Sequence, residues 1–114
     1  MANLPEQTIK KIFELQSEIW AIINETTQTE FSLLEQYGEI DMTISDLDML
    51  QNTKDKTATY YSRLYTLSLR IAETQPIAST AMIDLLEKTL NEAEAIIASS
   101  TATIKEIKRD WNLL

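Results

Sequence analysis

Large apolar residues recur three and four positions apart along most of this chain. The first run comprises Ile9, Ile12, Phe13, Ile19, Trp20 and Ile23, then Phe31, Leu34 and Tyr37. That spacing returns side chains to one side of a helix and does not fit the alternation of a strand. Asn3 and Pro5 suit a helix start, with Glu6 three residues after Asn3 as in a capping box. Gly38, the only glycine, follows Tyr37, where a helix end favours the left-handed backbone. The pattern predicts a first helix over about 4–37, roughly 50 Å long at 1.5 Å per residue. Thr27 and Glu30 match a second capping box, so a break within the threonine-rich stretch 26–29 is the alternative to one continuous helix.

A second stripe runs through Ile44, Leu47, Leu50, Tyr61, Leu64 and Ile71. Thr43 with Asp46, and Ser45 with Asp48, are candidate caps. Pro76 disfavours helical geometry at Gln75 and suits the first turn of a third helix. The expected bounds are therefore about 43–75 and 76–113. From Ile83 the third helix carries a heptad pattern. One line holds Ile83, Leu90, Ile97, Ile104 and Trp111; the other holds Leu86, Ala93, Ser100, Ile107 and Leu114. Lys105, Lys108 and Arg109 fall in its last turns, where cations complement the helix dipole. The expected fold is all-α: a single domain over 1–114, an antiparallel up-down-up bundle of three long helices.

Composition supports this reading. A sheet protein needs many turns, and one glycine with two prolines supply few. No cysteine means no disulfide and no thiolate; no histidine removes the usual general base and the commonest metal ligand. Di-iron bundles need Glu-x-x-His motifs, so the acidic pairs Glu14/Glu18 and Glu92/Glu94 read as solvated faces. Asp41-x-Thr43-x-Ser45 lacks the glycine and distal glutamate of a calcium loop. No phosphate loop or catalytic triad is spelled out. The expectation is a non-enzymatic protein without metal or cofactor.

The net charge of −8 is spread over the chain: residues 1–38 contribute −4, and 39–75 and 76–114 contribute −2 each. Such a surface repels phosphate backbones and anionic lipid, which argues against nucleic-acid and membrane partners. No basic region followed by an apolar run opens the chain, so a cytoplasmic location is expected.

Two features suggest function. Counting outward from the two connections brings Thr26 and Thr27, Asn52 and Thr53, and Ser99 and Ser100 to one cross-section. Such a polar layer sets register or offers a small-ligand site. The same count levels Trp20 with Tyr60 and Tyr61, which predicts an aromatic cluster in the core. The second feature is the breadth of the first helix's apolar band, about half its circumference against a usual stripe of about 100°. Ile9, Phe13, Trp20, Ile23 and Leu34 form one edge, and Leu15, Ile22 and Leu33 the other. The Leu15/Ile22/Leu33 edge is the expected contact for a protein partner or a second copy. The leading expectation is an interaction or oligomerisation module; the alternative is a bundle that holds a small ligand at the polar layer near Thr27, Thr53 and Ser100.

Overall fold

The computed structural model describes residues 4–113, so Asn3 as a cap and Leu114 as a heptad position lie outside the described residues. Three helices follow one another: α1 (Glu6–Tyr37), α2 (Asp41–Glu73) and α3 (Thr80–Asp110). All three pack against each other in a rod of 56 × 20 × 17 Å. The expected three-helix bundle is the observed fold.

α1 is continuous through the threonines. Thr26, Thr27 and Thr29 each donate a hydroxyl hydrogen bond to a carbonyl three or four residues back in the same helix. Bonded this way, the hydroxyls do not compete for the backbone N–H groups that a break would expose. The helix ends at Gly38, whose φ of 75° is the left-handed value, and whose N–H reaches the Leu34 carbonyl.

The second and third helices start elsewhere than expected. α2 begins two residues early, at Asp41. Thr43 is not the residue before the helix; it sits in the first turn, accepts the Ile40 N–H and donates to the Gly38 carbonyl. One hydroxyl thereby satisfies groups on both sides of the connection. α3 begins late. Pro76 lies in the connection, and Ser79 caps α3 by accepting the Met82 N–H at 3.2 Å.

The core follows the heptads. On α2, Thr43, Leu50, Thr57, Leu64 and Ile71 recur every seven residues and all are buried. On α3, Leu86, Ala93, Ser100 and Ile107 do the same, joined by Leu90 and Ile104. Seven residues make nearly two turns, so such a line stays on one side of a long helix. α1 contributes Ile12, Leu15, Ile19, Ile22 and Leu33. The apolar residues fall into two clusters. One contains Ile12, Leu15, Ile19, Leu64, Ile71 and Leu86; the other contains Ile22, Leu33, Leu50, Ile104 and Ile107.

Candidate functional site

The broad band of α1 is only partly used by the bundle. Leu15, Ile22 and Leu33 are 5%, 7% and 0% exposed and belong to the two core clusters. The expectation that this edge is an external contact is corrected: α2 and α3 together cover it. Two neighbours packing on one helix cover a wider arc than a single neighbour does, and the arc they reach includes this edge. Of the opposite edge, Ile23 packs half-buried against the first core cluster, and the rest is left bare together with Phe31. Phe13, Trp20 and Phe31 are 65%, 65% and 67% exposed, with Ile9 and Leu34 also exposed.

Helical geometry makes these five residues one line. Phe13 and Phe31 are eighteen residues apart, five full turns, and Trp20 is seven beyond Phe13. At its N-terminal end the line borders the α1/α2 groove. Ile9, Ile12 and Phe13 share a recess there with Leu69, Ile71 and Ala72 of α2. On the same side of α2, Tyr65 stands one turn before Leu69 and Tyr61 one turn earlier, and both are exposed. Ile44, also exposed, continues the α2 side toward the connection. The aromatic cluster expected in the core does not form: of its members only Tyr60 packs against the core. Trp20 and Tyr61 face solvent, while Tyr60 is half-buried and turned toward α3.

Tyr60 donates to a Glu92 carboxylate oxygen at 2.7 Å, and the Arg63 guanidinium lies 5.0 Å from its ring centroid. The hydrogen bond to Glu92, with burial adding to it, holds the phenol above its usual range. Loss of the proton would place two negative charges in contact.

The polar layer is assembled in part. Asn52, Thr53, Ser99 and Ser100 line one shallow recess between α2 and α3, as the count predicts. Thr27 does not join them: it is exposed and bonded to its own helix. Thr26 is fully buried instead, with its hydroxyl 2.7 Å from the Ile22 carbonyl. Thr57 was hidden from a reading by residue type, yet it is fully buried with its hydroxyl on the Thr53 carbonyl at 2.9 Å. These threonines present methyl groups to the core and satisfy their hydroxyls locally. The recess measures about 190 Å³. Small-molecule sites usually enclose about 300–1,000 Å³.

A larger recess, about 490 Å³, lies between α1 and α3. Its floor is Ile22, Ile97 and Ile104, and its rim carries Glu18, Lys105 and the paired Lys108 and Glu25. It holds no aromatic residue. The α1/α2 face differs in being aromatic and nearly free of charge on the α1 side, where Gln16, Asn24 and Thr27 separate the large side chains.

Among the described residues, no helix is long and apolar enough to cross a membrane. Comparison with protein-family models, with curated proteins and with solved structures finds no match. The class that fold and face define is a three-helix bundle with an uncovered aromatic side.

Proposed function

We propose that this chain is a non-enzymatic protein-binding module whose contact surface is the outer face of α1 and α2. The carrying observation is the exposure of Phe13, Trp20 and Phe31 on one line of α1. Leaving large aromatic rings in water is unfavourable by about 25 cal/mol per Å² of apolar surface. Monomeric proteins seldom expose contiguous apolar patches beyond about 300–600 Å², and larger ones mark contacts. Phenylalanine and tryptophan are also the side chains that concentrate binding energy at interfaces. Absence of histidine and cysteine supports the non-enzymatic side of the reading.

The test compares the wild type with a Trp20→Glu, Phe31→Glu double variant. Both positions are exposed, so circular dichroism is expected to be unchanged. Sedimentation and affinity capture from the source cells are expected to show an associated species, self or foreign, that the variant loses. Identical sedimentation and identical capture by the two proteins would remove the reading.

A further inference from the structure

We propose that the α1/α2 face is covered by a second copy of this chain, packed antiparallel about a twofold axis. The proposal rests on the protein-binding reading above and names its partner.

A twofold contact must be self-complementary, with residue i meeting j and j meeting i. The α1 line has that property about Ile22. Phe13 and Phe31 stand nine residues to either side of it, and Trp20 and Asn24 two to either side. Laid antiparallel on itself, the line places Phe13 on Phe31 of the second copy, twice. It places the indole N–H of Trp20 opposite the amide of Asn24, a donor against an acceptor. Charge fits the same register. Lys10 is twelve residues before the centre and Glu35 thirteen after it, on the same flank of α1. Each end of the pair therefore sets Lys10, which also pairs with Glu6 of its own helix at 3.6 Å, against a glutamate of the other copy.

The α2 side shares the centre. Ile9 and Leu69 line one recess, and α1 ends at Tyr37 where α2 begins at Asp41, which brings Ile22 about level with Lys56. About that level Leu47 and Tyr65 are nine residues to either side, and Ile44 and Ser68 twelve. Tyr65 then meets the exposed part of Leu47 of the second copy, a residue otherwise packed against the second core cluster. Asp55 falls near the axis, where Lys54 and Lys56 flank it and offset its meeting with its own counterpart.

Area also favours a second copy. The exposed parts of the five aromatic and four aliphatic side chains on this face total roughly 900 Å². A standard stable interface buries about 800 Å² per partner.

The test uses the cysteine-free background. Lys10→Cys and Glu35→Cys each introduce a single thiol on the flank of the contact, away from the core. Wild type is expected to sediment as a dimer, and Trp20→Glu as a folded monomer. A mixture of the two cysteine variants is expected to give the mixed disulfide, with little from either variant alone. A dimer without that mixed cross-link overturns the antiparallel pairing. A dimer that survives Trp20→Glu overturns both the pairing and the face. Contacts of this area bind in the µM range or tighter, so a monomer at about 100 µM overturns the second copy as occupant. If that monomer still captures a foreign protein that Trp20→Glu does not, the protein-binding reading stands without self-pairing; if it captures none, both fall.

Discussion

Tyr37 and Trp111 fasten the end of α1 to the end of α3: their ring centroids are 4.9 Å apart, and the Tyr37 hydroxyl donates to the Trp111 carbonyl at 2.8 Å. The Trp111 indole N–H donates in turn to an Asp46 carboxylate oxygen at 2.6 Å. One residue thus ties all three helices at the connection end of α1 and α2. Trp111→Ala is expected to destabilise the fold by about 2 kcal/mol, below the 3–5 of a fully buried tryptophan because this one is half-buried. Urea unfolding measures it. Tyr37→Phe removes one hydrogen bond and keeps the ring contact, so about 1 kcal/mol is expected.

Size and exposure make opposite predictions for Trp20 and Leu64. Trp20 is the larger residue but is mostly exposed, whereas Leu64 is fully buried. Leu64→Ala is expected to cost about 3 kcal/mol through lost burial and a cavity. Trp20→Ala is expected to cost under about 0.5 kcal/mol in the monomer. Thermal unfolding under conditions that keep both variants monomeric settles the order, and a reversed order contradicts the exposed placement of Trp20.

Ile22 separates core from surface more sharply. Ile22→Glu would place a carboxylate in the apolar floor beneath Lys105 and Lys108, at a position only 7% exposed, at several kcal/mol against a total stability of about 5–15. The expected result is loss of helical circular dichroism in the monomer itself. A folded Ile22→Glu protein with altered sedimentation would return the Leu15/Ile22/Leu33 edge to the surface.

The buried threonines predict tolerance. Thr57→Val exchanges a hydroxyl bonded within its own helix for a methyl group on the buried heptad line that also carries Leu50 and Leu64. Stability is expected to hold within about 1 kcal/mol or to rise, since the group lost is satisfied only locally. Sedimentation is expected to show the same single species as wild type. A loss beyond about 2 kcal/mol would mean that the hydroxyl serves a neighbouring helix.

Tyr60 predicts a pH effect in the alkaline range. Its proton is held more tightly in the folded state than in the unfolded chain, where the usual value is 10.0. The contribution to stability is therefore complete below pH 10 and is lost as pH rises through the higher folded value. Denaturation across that range is expected to show a steeper loss in wild type than in Tyr60→Phe. Parallel curves would show that the bond to Glu92 does not persist in solution.

Helix positions and the core lines were legible because they depend on neighbours in sequence. Three-and-four spacing, Gly38 after Tyr37 and the heptads from Ile83 are local patterns, and helices are built from local hydrogen bonds. The starts of α2 and α3 were less legible. Thr43 looks like a cap by type, but whether it precedes the helix or reaches back from its first turn depends on how tightly Gly38–Ile40 folds. Thr57 was missed because residue type records a hydroxyl and not its bond to the Thr53 carbonyl.

The sequence by itself determined that α1 carries an apolar band too broad for one neighbour, and that Phe13 and Trp20 share one edge of it. It could not determine which edge of the band stays bare. The edge through Leu15, Ile22 and Leu33 and the edge through Phe13 and Trp20 have the same helical period, and hydrophobicity does not rank one above the other. Only the placement of α2 and α3 decides, because burial is a property of what packs against a side chain. Both neighbours bear on the first edge and leave Phe13 and Trp20 of the second exposed.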